Sequence, residues 1–351
     1  MKFSIRDEAR LISKLFDPKI EQKPTRDGYG LGIVEAAQAD ERVVVLCADL
    51  TESTRNLDFK THFPDRFVQM GVQEQLLAAL GAGMALTGKI PFITSYAMFC
   101  PGRAWEQVRT NICLNNVNVK IIGSHAGVSV GPDGATHQAI EDIAIMRVIP
   151  NMTVIAPCDT IEARKATVAA ARLEGPCYLR FAREKTPVFT TDDTPFEIGK
   201  ATVLRDGKDV AVIACGPLVY KALKAADDLA KRDRIQCMVI NSHTVKPLDE
   251  ATILAAADKC RAIVTVEEHQ ITGGLGGAVA EFLTKTRPTP IEFVGVANRF
   301  GESGPPNDLI EHFGMGVSHI KAAVKTVMAR KRAGRLSLGK LMGKLTSFAK
   351  Q

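Results

Sequence analysis

The chain has 351 residues, 46% of them hydrophobic and 24% charged, values of an ordinary globular protein long enough for two or three domains. Its formal charge of +6 is local: residues 330–351 hold seven basic side chains and no acid, and the remainder carries 38 basic against 39 acidic groups. These figures exclude disorder, collagen-like repeats and a broad nucleic-acid-binding surface, and no apolar run approaches the roughly 18 residues of a membrane span.

The chain opens MKFSIRDEAR, with charges where a signal peptide needs an apolar core, so a cytoplasmic protein is expected. Residues 1–23 read as an N-terminal extension. Apolar runs at 43–47, 90–94, 119–123, 153–155 and 178–181 predict strands. Helical patterns fall at 29–39, 72–86, 103–115, 138–147 and 160–172. Strands alternating with helices predict βαβ units, and continuous Val/Ile runs predict strands covered on both faces. Residues 24–190 form the first expected domain.

Periodicity fades over 183–199 (REKTPVFTTDDTPFEIG), which reads as a domain boundary with a linker at 191–198. A second domain is expected over 199–330. Its strands are predicted at 210–214, 236–240, 262–266 and 291–295, and its helices at 217–231, 249–257, 275–285 and near 316–330. A Gly- and Pro-rich loop covers 301–306. The fold class is therefore α/β, with two doubly wound domains and mainly parallel sheets. Residues 331–351 form a basic tail in which Leu338, Leu341, Met342, Leu345 and Phe348 fall at helical spacing. A docked terminal helix and a membrane- or partner-facing stripe both fit it, and Gly339 and Gly343 weaken either helix.

Eight cysteines lie at 47, 100, 113, 158, 177, 215, 237 and 260, with no C-x-x-C pair. Small buried thiols explain them better than a zinc or redox site. No metal-ligand set is expected in this chain. Thr272-Gly-Gly-Leu-Gly-Gly277 lacks the spacing of a dinucleotide fingerprint and reads as a tight helix-opening turn. Gly28-Tyr-Gly30-Leu-Gly32 follows no predicted strand and is equally weak.

Three segments carry candidate chemistry. Glu74, in Gln69-Met-Gly-Val-Gln-Glu74-Gln, sits in the first turn of a helix rich in small residues. First-turn glutamates are mostly capping or solvated groups. The stretch Gly81-Ala-Gly83-Met-Ala85, however, invites close packing, which would leave the carboxyl poorly hydrated and in need of a partner. The loop Ser124-His125-Ala-Gly-Val-Ser-Val-Gly-Pro-Asp133-Gly-Ala-Thr-His137 follows a predicted strand. Ligands of doubly wound folds collect at such carboxyl ends. His125, Asp133 and His137 could supply acid, base and hydroxyl-binding groups there. Tyr96 and Phe99, after the strand at 90–94, could wall a flat ring or could belong to the core.

Four segments in order resemble the transketolase family: Gln69–Gln75, Thr94-Ser-Tyr96-Ala-Met-Phe99, Gly131-Pro-Asp133-Gly-Ala-Thr-His137-Gln and Pro150–Asp159. Val245-Lys-Pro-Leu-Asp249 and Glu267-Glu-His269 fit the same family. The likeness spans roughly residues 24–330 and covers the pyrimidine-binding and C-terminal domains. It implies thiamine diphosphate as cofactor and transfer of a two-carbon ketol unit from a ketose phosphate to an aldose phosphate. The G-D-G motif and later Asn that hold the diphosphate and its Mg2+ or other divalent ion in this family are missing. The resemblance therefore implies a split enzyme, a heterotetramer, whose partner, an N-terminal transketolase subunit, brings that domain.

By the same resemblance, Glu74 would hydrogen-bond the cofactor's pyrimidine and Tyr96 and Phe99 would wall it. Asp49 would lie near the cofactor at the chain interface. His125, Asp133 and His137 would contact sugar hydroxyls and move protons, and Arg26, Ser53 and Arg183 would bind the substrate phosphate. Cys100-Pro-Gly102 departs from the aromatic found near there in bacterial full-length enzymes. The rival readings are a deoxyxylulose-phosphate-synthase-like enzyme, the beta subunit of a 2-oxo acid dehydrogenase, a non-catalytic partner subunit, and a tail-directed membrane or scaffold protein.

Overall fold

The computed structural model describes residues 4–348, with side chains described as far as Ala333. The apolar stripe expected at 338–348 thus lies outside the described side chains. The first domain runs β1 (Gln22–Pro24), α1 (Thr25–Ala39), β2 (Val43–Cys47), α2 (Leu57–His62), β3 (Phe67–Gln69), α3 (Glu74–Leu86) and β4 (Ile90–Tyr96). It continues with α4 (Trp105–Gln107), β5 (Lys120–Ser124), α5 (Asp142–Arg147), β6 (Thr153–Ile155), α6 (Thr160–Arg172), β7 (Cys177–Arg180) and β8 (Lys185–Pro187). The second comprises β9 (Thr202–Arg205), β10 (Val210–Ala214), α7 (Leu218–Arg232), β11 (Cys237–Asn241), β12 (Thr244–Lys246), α8 (Glu250–Cys260), β13 (Ile263–Gln270), α9 (Leu275–Thr286), β14 (Ile291–Val296), α10 (Pro306–His312) and α11 (Val317–Phe348).

Seven strands form the first sheet in the order β12-β6-β7-β5-β4-β2-β3, all parallel except β12, which joins antiparallel at the edge. Its inner strands are apolar on both faces because helices cover both, and β2 and β5 are buried at every position. The second sheet has the order β14-β13-β10-β11-β9, again parallel apart from its edge strand β9. The cysteines at all eight positions are buried free thiols.

Several elements differ from the sequence expectation. Helix 103–115 resolves into α4 followed by π-type hydrogen bonding over Val108–Cys113. Helix 138–147 begins only at Asp142, and Gly134–Ile140 stays a turn. Gln138, at the expected helix start, instead donates its side-chain amide to the carbonyls of Val128 and Gly131 in its own loop and of Glu302 in the second domain. A short strand, β1, does precede Gly28-Tyr-Gly30. It pairs antiparallel with β8, inside the segment read as a domain boundary. No periodicity marks three-residue strands. The final helix also runs on through the expected boundary at 331, since 331–348 contains no proline to stop it.

Both tethers between the domains are pinned. Asp159 accepts from the backbone N–H groups of Phe189 and Thr190 and from the Thr190 hydroxyl, fixing the linker against α6. The N-terminal extension lies on the second domain: the Tyr220 hydroxyl donates to Leu15 O at 3.0 Å, and the Arg6 N–H donates to Leu204 O. Strand β12 leaves the second domain to extend the first sheet, so the two domains share an edge.

Candidate active site

The site grows from the carboxyl ends of β2, β4 and β5, where parallel strands release their loops on one side of the sheet. Glu74 begins α3 and is only 2% exposed. Ser95 Oγ, on β4, donates to its Oε1 at 3.3 Å, and Arg103 Nη1 lies 3.7 Å from Oε2. That second oxygen is buried and accepts no hydrogen bond. A carboxylate oxygen left dry and unbonded costs free energy, so this position is shaped for a donor from another molecule. Gly81 lets α3 come down on the sheet, since a Cβ there would meet Ile93 Cγ2 at 2.7 Å.

Tyr96 and Phe99 stand beside it as β4 ends. Their rings lie near-parallel with centroids 6.2 Å apart. His125 stacks on Tyr96 at 3.8 Å, and His137 meets Phe99 edge-on at 5.3 Å. Four of the sequence candidates thus form one aromatic group. Gly123 is needed on the strand that leads to His125, because a Cβ there would collide with the Tyr178 hydroxyl at 2.2 Å and with its ring carbon Cε2 at 2.6 Å.

His125 is buried, with a left-handed φ of 57°. Arg26 Nη1 lies 3.0 Å from its Nε2, and Ser124 Oγ lies 2.9 Å from its Nδ1. A guanidinium can only donate, so Nε2 accepts and the proton belongs on Nδ1. Burial, and then Arg26, Arg183, Arg55 and His137, push its pKa down to about 3. His125 is therefore a neutral hydrogen-bonding group and not a protonated acid at neutral pH. His137 is half-buried, with Nδ1 2.9 Å from Thr136 Oγ1.

A pocket of about 270 Å³ opens beside these rings, lined by Arg26, Glu52, Ser53, Arg55, Tyr96, His125, Asp133 and Arg183. Arg26 Nη1 donates to Ser53 O at 2.9 Å, while its buried Nε has no acceptor. Arg183 Nη1 donates to Val130 O and to Asp133 Oδ1 at 3.3 Å. Burial and the neighbouring Arg55 lower the Arg26 pKa. Six sequence candidates meet in this pocket. Asp49 does not: it is exposed, with a φ of 58°, and its N–H donates to Gln69 Oε1. Ser95, Arg103, Glu52 and Arg55 escaped sequence reading. Only the burial of Glu74 and the closure of the 51–56 turn against α1 give them a place.

Other sequence features fall out of the chemistry. Glu267 fills the amino end of α9, accepting from the N–H groups of Leu275 and Gly276, so the Thr272–Gly277 turn binds its own carboxylate. Among the described residues, no group of three or more His, Cys, Asp or Glu side chains is placed to hold a metal ion, and no helix is long and apolar enough to cross a membrane.

Two family models match the chain: the transketolase pyrimidine-binding domain over residues 21–188 and the transketolase C-terminal domain over residues 199–320. A protein described as a transketolase C-terminal section from Methanocaldococcus jannaschii is 41% identical over 311 residues, 88% of this chain and 97% of that one. The 6-deoxy-6-sulfo-D-fructose transketolase subunit SqwH of a Clostridium species is 39% identical, covering 91% of this chain and 99% of its own. A solved structure described as a split gene transketolase in an inactive beta4 tetramer superposes with a TM-score of 0.82 at 43% identity, covering 88% of this chain and 99% of that chain. The chain belongs to the transketolase family and carries its pyrimidine-binding and C-terminal domains.

Proposed function

We propose that this chain is the C-terminal subunit of a split transketolase, a transketolase-type transferase active only when a partner chain supplies the diphosphate- and metal-binding domain. The observation that carries this reading is the dry, unbonded Oε2 of Glu74 beside the Tyr96 and Phe99 rings. A flat ring with a polar nitrogen fits that arrangement, as the aminopyrimidine of thiamine diphosphate does. When bound, thiamine diphosphate supplies the carbanion chemistry of ketol transfer. Its diphosphate and Mg2+ or other divalent ion would be held by the partner, in a hetero-oligomer.

Each residue of this chain then has a task. Glu74 would hold one shared proton between its free carboxyl oxygen and the pyrimidine nitrogen, where water cannot compete. The neutral His125 and the half-buried His137 face the ring group from the substrate side, suited to hydroxyls of a ketose and not to the smaller pyruvate. Arg26, Ser53 and Arg183 line the pocket where a substrate's anionic end would sit, with Asp133 beside them. A guanidinium fork matches an oxyanion with two parallel bonds. The SqwH relative is a transketolase subunit for 6-deoxy-6-sulfo-D-fructose, whose sulfonate is such an anion.

The test mixes the chain with its partner, thiamine diphosphate and a divalent ion, and offers a ketose phosphate or pyruvate with an aldose acceptor. Transfer from the ketose is expected, and Glu74→Ala should lower turnover by about 100-fold or more. Undiminished turnover in that variant, or full activity of this chain without a partner, would refute the reading.

A further inference from the structure

The turn 51–56 brings a third guanidinium into the pocket, and its placement is unusually constrained. Arg55 has a left-handed φ of 64°, which non-glycine residues seldom adopt. Helix α1 passes so close that a Cβ on Gly30 would lie 2.9 Å from Arg55 Cβ and 3.1 Å from its carbonyl oxygen. Asp27, also on α1, takes the Arg55 Nε at 2.6 Å. Backbone conformation, helix approach and ion pair together fix the direction of one long side chain. The Nη1 group makes one long bond, 3.4 Å to Glu52 O, which leaves most of the guanidinium fork available.

The charge arrangement points to a missing anion. Arg26, Arg55 and Arg183 line one small pocket with only Glu52 and Asp133 as acids, and Asp133 is already paired with Arg183. Arg26 Nε is buried without an acceptor. Like charges gathered around an unsatisfied donor are costly unless a ligand completes them.

Building on the transferase reading above, we propose that Arg55 is a specificity-determining residue. Held by Asp27, it donates to the terminal tetrahedral oxyanion of the sugar substrate and selects phosphorylated or sulfonated sugars over uncharged ones. Asp27 orients the fork and does not neutralise the pocket as a whole. A merely structural Arg55–Asp27 pair would tie the turn to α1 with no effect on ligand choice.

Two measurements separate these cases. The pocket belongs wholly to this chain, so titration calorimetry of the full-length chain with inorganic phosphate, and with sulfate in parallel, reads Arg55 whether or not the transferase reading holds. Arg55→Leu should weaken phosphate binding about tenfold or more. Arg55→Gln, which keeps a hydrogen bond to Asp27 without the charge, should do the same if the leucine variant fails to fold. Absence of phosphate binding by the wild-type chain, or an unchanged affinity in a folded variant, overturns the proposal. In the assembled pair, Arg55→Gln should raise KM for a ketose phosphate about tenfold more than KM for an uncharged ketose, with kcat much less affected. Equal losses on both donors mean a structural role and also overturn it. Failure of the wild-type pair to use any ketose would instead count against the transferase reading, which calorimetry does not address.

Discussion

At the residue scale, what separates a working histidine from a core one is the set of groups aimed at its two nitrogens. His125 accepts from a guanidinium at Nε2, donates at Nδ1 and is buried under Tyr96, so a second proton is opposed first by burial and then by the charges of Arg26, Arg183 and Arg55. With its pKa near 3, it keeps one protonation state across the working range of an enzyme. His125→Asn should therefore reduce kcat/KM of the assembled pair while leaving the midpoint of the acid limb of its pH profile in place. A midpoint that moves by more than about half a pH unit would mean that His125 itself titrates during turnover.

Elements in this fold are positioned by what glycine omits. Helices α1 and α6 pack so closely that a Cβ on Gly28 would lie 2.0 Å from Thr160 O and 2.7 Å from Ala163 Cβ. Because α1 carries Arg26, Asp27 and Gly30, its seat on α6 sets the geometry of the anion pocket. Gly28→Ala should lower stability by about 1–3 kcal/mol, read as a shifted urea midpoint at constant slope. Gly83→Ala is the matched control: nothing lies within 4 Å of the new methyl, and the exposed helical site should gain about 0.5–1 kcal/mol. Equal effects at the two positions would rule out close packing as the cause.

The pairing of α5 with β7 obeys a different rule. Arg180 Nε donates to Asp142 Oδ2 at 2.8 Å, the Tyr178 hydroxyl donates to the same oxygen at 2.7 Å, and Arg180 Nη2 reaches Glu268 O in the second domain. Both charges are buried, and the bonds from Arg180 and Tyr178 outweigh burial to hold the Asp142 pKa below the usual carboxylate range. Arg180→Leu leaves Asp142 buried without its cation and should cost about 3–5 kcal/mol in chemical denaturation, whereas an exposed pair such as Lys231–Asp227 should cost well under 1 kcal/mol.

On the scale of the whole molecule, the domain junction makes stability depend on pH. His243 is buried there, stacked on Phe196 of the linker, and burial lowers its pKa to about 4 despite Asp249. An unfolded histidine takes a proton near 6.5, so between that value and about 4 the unfolded chain binds more protons. The stability His243 contributes is complete above pH 6.5 and is lost as pH falls toward 4. Glu162, whose Oε1 accepts from Asn241 of the second domain, acts in the opposite sense: burial and Asp159 raise its pKa to about 7. His243→Asn should consequently flatten the fall of Tm between pH 6.5 and 4. A slope as steep as the wild type would place the acid sensitivity elsewhere.

The amino-acid sequence by itself determined the alternation of strands and helices, and with it two parallel sheets, because strands such as 43–47 and 210–214 must bury both faces whatever surrounds them. It also determined the family, since Glu74, the His125–His137 loop and Tyr96–Phe99 keep their order and spacing along the chain. Tertiary structure alone decided that β12 crosses to the first sheet, that β1 pairs with β8, and that Arg55 joins Arg26 and Arg183 in one pocket. Those outcomes rest on contacts between segments far apart in sequence. Their free energy comes from burial and charge at closed distance, which no local pattern of residues records.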